Sequence, residues 1–268
     1  MSILKGIDEL VDGWLEVAPK GQPPHYRHRA AANELTRREA PISGTAAFLE
    51  ASYEQIHANW MAAIDAGYTN PSKENWRWKR HQSLGADNSS PELTLERAIV
   101  VTCGEDWSNQ MPTASGLVGS ATDKRSAVDL VLREDPTNYS FIELKVNSDT
   151  PLFAAIEILK YGLLFVWSKN NQEALGYDAE QQPILAADTV TLATLAPPEY
   201  YSQFDLANVA AALNDGVVEF GKRYGLSLRF DFCQLGMEFD PTLESDAVRS
   251  SVEARNSVWH CRDCENEL

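Results

Sequence analysis

Two short stretches of alternating apolar residues constrain this chain more than anything else in it. They are Ala127-Val128-Asp129-Leu130-Val131-Leu132 and Phe141-Ile142-Glu143-Leu144-Lys145-Val146. Side chains alternate along a strand, so Val128, Leu130 and Leu132 should face one way, and Asp129 with Val131 the other. Ile142, Leu144 and Val146 likewise oppose Glu143 and Lys145. Between the two strands, Asp135-Pro136-Thr137-Asn138 predicts a turn, with proline at its favoured second position and an asparagine that tolerates positive φ. A three-residue loop over 136–138 would set Asp129 opposite Lys145, with Glu143 on the diagonal. Two acids and a lysine then converge on one face of a hairpin.

Two carboxylates held close repel each other and need a cation between them. Oxygen ligands with room for water suit Mg²⁺ or Mn²⁺ rather than zinc. Such an ion lowers the pKa of bound water and neutralises charge on a phosphate and its departing oxygen. A lysine alongside can orient the water or stabilise the developing charge. Thr150-Pro151 then opens a strong helix, LFAAIEILKYGLLFVW, in which Glu157 and Tyr161 stack four residues apart on one face. That face can pack near the strand end carrying Lys145.

Elsewhere, residues 1–89 read as a helical segment, with apolar periodicity over Ile3–Leu15, Ala30–Arg38 and Gly44–Ala66. Ser90 as N-cap and Pro91 at the first helical position predict a helix from Pro91 to about Cys103. Residues 104–125 are rich in Gly, Ser and Thr, with one short strand near Ala114–Gly119. Ser126–Glu134 and Ser140–Val146 are strands, as are Thr189–Leu195 and Leu226–Leu235, and Leu206–Tyr224 is a helix. The order predicts an α/β protein, its sheet covered by helices on both faces. No GxxxxGK[ST] occurs, which excludes a P-loop NTPase.

Asp129, then Glu143-Leu144-Lys145, then Glu157-xxx-Tyr161, preceded by a helix with Glu96, resembles the PD-(D/E)XK nuclease superfamily. The similarity is greatest to its RecB-like branch, whose helix carries Q-xxx-Y. It covers residues 90–235 and leaves out 1–89 and an acidic C-terminal extension, 236–268. Val128 stands where the motif has proline, and Glu157 where the branch has glutamine. The resemblance implies a restriction-endonuclease-like αβββαβ core with a mixed sheet flanked by helices. Its activity would be Mg²⁺-dependent (or Mn²⁺-dependent) hydrolysis of phosphodiester bonds in DNA, with RNA as the second choice. Asp129 and Glu143 would be metal ligands together with the backbone carbonyl of Leu144. Lys145 would be the catalytic lysine, and Glu96 a further acid of the site.

Charge bears on the partner. The net charge is −16, whereas phosphate contacts need local cations. Residues 1–90 are nearly balanced, at 10 Lys+Arg against 11 Asp+Glu, while residues 91–235 hold 10 against 20. The N-terminal cations cluster as Arg27, Arg29, Arg37 and Arg38, then Arg77, Lys79 and Arg80. The second cluster is interleaved with Trp76 and Trp78, which suits base stacking, or else tryptophans packed in the core. Arg77, Lys79 and Arg80 are therefore expected to complete a substrate groove, with Lys124 and Arg125 near a bound phosphate. A protein partner or homodimer also fits, as does an inactive nuclease-fold module acting as a scaffold. A surface Glu143–Lys145 ion pair in an unrelated α/β fold is the remaining rival.

Four cysteines do not make a disulfide framework. Cys103 and Cys233 sit in apolar segments and read as buried thiols. Cys261 and Cys264 form half a zinc site without a second pair. The longest apolar run, Phe153 to Trp167, is interrupted by Glu157 and Lys160 and is too short to span a bilayer. With no signal-peptide pattern at the N-terminus, the expectation is a cytoplasmic protein away from membranes.

Overall fold

Apolar periodicity and two well-marked helix starts organise the chain. The structure, a computed structural model, describes residues 2–19, 21–38, 42–85, 88–121, 123–236 and 244–258. The Cys261–Cys264 pair lies outside them. Helices α1 (Ile7–Leu15), α2 (Arg29–Leu35) and α3 (Thr45–Asp65) come first. They are followed by α4 (Pro91–Cys103), β1 (Trp107–Pro112), β2 (Ala127–Arg133), β3 (Asn138–Leu144) and α5 (Pro151–Asn170). The short α6 (Gln172–Leu175), then β4 (Thr189–Ala196), the short α7 (Pro198–Tyr201), α8 (Ala207–Arg223) and β5 (Ser227–Gln234) come next. Helix α9 (Ser245–Glu253) and β6 (Asn256–Ser257) complete the described chain. Ser90 Oγ accepts the Leu93 N–H and Thr150 Oγ1 the Phe153 N–H, each at 3.2 Å, so both Ser/Thr-Pro starts are true N-caps.

The strands form one mixed, unclosed sheet in the order β1-β2-β3-β4-β5-β6. The β1–β2, β2–β3 and β5–β6 pairs are antiparallel; β3–β4 and β4–β5 are parallel, joined by crossovers through α5 and α8. One apolar cluster fills the space between the sheet and α5, α8, α3 and α1, taking in Ile3, Ile56, Val131, Phe141, Phe165 and Phe230. A second, including Ile99, Trp107, Leu130, Ile142, Leu195 and Val252, lies under α4 and α9 on the other face. Residues before position 90 therefore share a core with the sheet. Asp123 fastens the junction, accepting from Ser2 Oγ at 2.6 Å and the Ile3 N–H at 3.0 Å.

Four expectations are corrected. The first antiparallel strand is Trp107–Pro112, not Ala114–Gly119. Its polar residues are buried because Ser108 and Asn109 bond the segment around Lys79 and His81 along the sheet edge. The hairpin register is shifted by two. Leu130 pairs with Ile142, and Asp135 Oδ1 accepts the N–H groups of Thr137 and Asn138, so the loop is 135–137 and Asn138 belongs to β3. A shift of two keeps every side chain on its face. Val128 joins the first cluster rather than sharing the second with Leu130; Gln110, opposite Asp129 on β1, has φ 49 and twists that end of the sheet. Lastly, α5 runs 20 residues and is long and apolar enough to cross a membrane by length and composition, but 83% of its most apolar window is buried within the protein.

Candidate active site

The hairpin register brings the acids together. One step beyond the Leu130–Ile142 pair, Asp129 stands opposite Glu143. Here the Leu144 N–H is taken by the Asp129 side chain, Oδ2 accepting at 3.1 Å. The two carboxyls face each other across the hairpin, and like charges so placed oppose ionisation. Burial, then the charges of Asp129 and Glu157, raises Glu143 well above the carboxylate range. Burial also pushes Asp129 up to about 6, against the pull of Lys145.

Lys145 is 8% exposed and Glu143 5%, so their ion pair is not a surface pair. The Lys145 ammonium lies 2.8 Å from Glu143 Oε1 and 2.9 Å from Glu157 Oε2, with Asp149 Oδ2 at 4.0 Å. Burial alone would lower its pKa; Glu143 and Glu157 outweigh that and hold it above the usual lysine range. The Glu157–Tyr161 face of α5 meets the strand end as the helical spacing predicts. Burial, then the nearby carboxylates, raises the pKa of Tyr161.

Glu96 reaches the same region from α4. Its Oε1 accepts from Asn109 Nδ2 at 2.7 Å and its Oε2 from Gln110 Nε2 at 2.6 Å, and it pairs with Arg97. Gln110 Nε2 also lies 3.4 Å from Asp129 Oδ1, bridging the two acids. Burial raises Glu96 to about 7, and the charge of Asp129 acts in the same direction. Asn109 and Gln110 had no signal in the sequence, because a polar strand at a sheet edge looks like a loop.

Each cation of the second basic cluster has a carboxylate partner. Arg77 and Lys79 share the Glu74 carboxylate, and Arg80 binds Glu105 and the Val100 carbonyl. Trp76 is fully buried between Phe141 and Phe165, and Trp78 packs on Tyr139. Lys124 and Arg125 are exposed on a 3₁₀ turn ahead of β2. Arg27 and Arg29 are exposed. Arg27 lies 4.4 Å over the Phe153 ring, the ring that Lys145 Nζ faces from its other contact at 5.7 Å. Arg27 lines a cavity of about 210 Å³ with Glu157 and Tyr161, and Arg29 lines one of about 200 Å³ with Asp149 and Tyr200. Lys145 touches a lining residue of each, Glu157 at 2.9 Å and Asp149 at 4.0 Å.

Among the described residues, no three His, Cys, Asp or Glu side chains form a ready-made metal-binding group. The donor set for a hard divalent cation is narrower: Asp129, Glu143 and main-chain oxygen. Oxygen-only donors whose like charges a cation would offset are of the type that Mg²⁺ or Mn²⁺ takes. Cys103 and Cys233 are half-buried free thiols, with burial pushing Cys233 up to about 12. No protein-family model, curated protein or solved structure matches the chain.

Proposed function

We propose that this protein is a Mg²⁺- or Mn²⁺-dependent nuclease that hydrolyses phosphodiester bonds, with DNA the preferred substrate. The observation that carries it is Asp129 facing Glu143 across one hairpin, with Lys145 paired beside them. The succession α4-β1-β2-β3-α5-β4 supports a restriction-endonuclease-like core, with the acids on its second and third strands.

Asp129, Glu143 and the Leu144 carbonyl would hold the ion, which when bound supplies charge neutralisation and Lewis acidity at the phosphate. Lys145 stays an ammonium at any physiological pH. Two of its three N–H groups are held by Glu143 and Glu157, leaving one to donate to a non-bridging phosphate oxygen. Glu157 positions that ammonium. Arg27 and Arg29 supply the local positive charge that the acidic chain otherwise lacks.

The test is incubation of the protein with plasmid, single-stranded DNA and RNA in Mg²⁺, Mn²⁺ or EDTA. Cleavage with either metal but not in EDTA, and lost in Asp129→Ala, is expected. The second reading, an inactive scaffold, draws on the neutralised Arg77, Lys79 and Arg80. Metal-independent binding without cleavage would favour it.

A further inference from the structure

The cavity of about 200 Å³ that takes in Asp149, a neighbour of Lys145, is more than a gap between elements. The chain leaves β3 through Val146 and Asn147, and Asp149 sits at φ 61, a conformation unusual for a residue with a side chain. Both Asn147 and Asp149 line the cavity. From the opposite wall α7 contributes Tyr200, and the turn after it contributes Gln203 and Phe204. Arg29 closes the third side, bonded to Gln203 and lying 5.7 Å over the Phe204 ring.

One polar group here is unsatisfied. The Tyr200 hydroxyl is buried and has no hydrogen-bond partner among the described residues. Its ring is fixed edge-on against Tyr201, whose own hydroxyl bonds Thr194 and the Cys233 carbonyl. A buried hydroxyl without a partner costs free energy unless a ligand or water supplies one.

Building on the nuclease reading, we infer that this cavity receives one unpaired nucleobase next to the phosphodiester held at Lys145, so that the substrate is single-stranded or locally unpaired nucleic acid. A phosphate fits the lining poorly, because Asp149 and Glu199 repel it. A base fits it well. Carboxylate and amide oxygens accept from exocyclic amino groups and ring N–H, while amide N–H groups and the tyrosine hydroxyl donate to ring nitrogens and carbonyls. The Arg29 guanidinium, backed by the Phe204 ring, provides a flat face on which an unstacked base can lie. In an intact duplex the pairing edge is occupied by the opposite strand and cannot meet these groups.

The experiment measures binding by fluorescence anisotropy in EDTA, so that no cleavage is needed for the readout. The probes are a single-stranded DNA oligonucleotide, an RNA of the same sequence, the blunt DNA duplex, and DNA strands with one abasic position moved along them. The single strands should bind at least tenfold more tightly than the duplex. One abasic position should weaken DNA binding roughly 5- to 100-fold, the range for losing one stacked base. Tyr200→Phe, which removes only the hydroxyl, should weaken the intact strand about 2- to 10-fold and leave that abasic strand unchanged. The DNA and RNA arms separate the two sources of the base. Equal affinity for strand and duplex would overturn the inference, as would a Tyr200→Phe penalty that persists on the abasic strand. Cleavage of duplex with no single-strand preference would sink the base pocket and leave the nuclease intact. Base-dependent binding without cleavage in any metal would do the reverse.

Discussion

The Asp129 carboxylate on β2 accepts the backbone N–H of Leu144 on β3 at 3.1 Å. A side chain thereby occupies the place where the next ladder hydrogen bond would fall, and the hairpin ends in a carboxylate cluster instead of another rung. Asp129, Glu143 and Glu96 all bind protons more tightly folded than unfolded. The stability they contribute is therefore complete below their unfolded pKa values, near 4, and is lost as pH rises through about 6 to 7. Without divalent metal, the urea midpoint should fall between pH 5 and pH 8, by on the order of 1–3 kcal/mol in unfolding free energy. Asp129→Asn should flatten that slope. Millimolar Mn²⁺ should restore stability at pH 8 more than at pH 5.5, because metal and proton compete for the same oxygens. A hundredfold excess over the dissociation constant corresponds to about 2.7 kcal/mol. A melting temperature indifferent to Mn²⁺ at pH 8 would remove the metal site from consideration.

Lys145→Ala should abolish cleavage while keeping Mn²⁺ binding within a few-fold, since the ammonium is not a ligand. Asp129→Ala should lose both. Because Lys145 is buried between two carboxylates, its removal should also cost stability at pH 8, about 3 kcal/mol, and less at pH 5, where the orphaned acids can protonate. Calorimetric titration and denaturant melts read the two effects separately. Retained wild-type cleavage in Lys145→Ala would refute its assigned role.

Glu157→Gln keeps the helix face and removes one of the two anions on Lys145. We expect kcat to fall about tenfold with little change in KM, the pattern for a group that positions another. Glu157→Asp should not rescue it, because the shorter side chain draws the carboxylate back from the ammonium. A rise in KM alone would instead make Glu157 a substrate contact.

Strands β2 and β3 and helices α4 and α5 were legible in the sequence because local chemistry decides them: alternation on apolar strands, and Ser-Pro or Thr-Pro helix starts. The face shared by Asp129, Glu143 and Lys145 followed from the same alternation. The register did not, because Asp135 folds the turn one residue earlier through its own carboxylate. Strand β1 was hidden, since Ser108 and Asn109 are buried by partners some 28 residues away in sequence. The exchange of surroundings between the basic clusters was equally invisible. Arg77 and Lys79 meet Glu74 nearby, whereas Arg27 and Arg29 lie over Phe153 and Phe204, which are distant in sequence.

That exchange is testable. Arg27→Ala with Arg29→Ala should weaken oligonucleotide binding and reduce the slope of log affinity against log salt by roughly 0.7 to 0.9 per lost phosphate contact. Arg77→Ala, Lys79→Ala and Arg80→Ala together should change the slope far less, since those cations already have carboxylate or carbonyl partners. The opposite ranking would return the groove to the sheet edge.

Gly162 lies five residues beyond Glu157 on α5, against Leu192 of β4. A Cβ there would fall inside van der Waals contact with Leu192. Gly162→Ala should cost about 1–3 kcal/mol by overpacking. Any displacement of α5 should also loosen the Glu157–Lys145 bond and lower kcat in parallel. A neutral effect on both stability and kcat would show that Leu192 yields without moving the helix.

The sharing of one core by residues at both ends of the sequence has a consequence for synthesis. Helices α1 and α3 leave the ribosome with their apolar faces bare, and the surfaces that cover them, α5 and α8, begin at Pro151 and Ala207. At about 5–20 residues per second, the wait from the end of α3 to the start of α5 alone is roughly 4–17 s. For that interval Ile7, Leu49 and Ile56 have only each other and whatever holdase is at hand. The cell must shelter the N-terminal helices before it can have the carboxylate cluster that they later help to enclose.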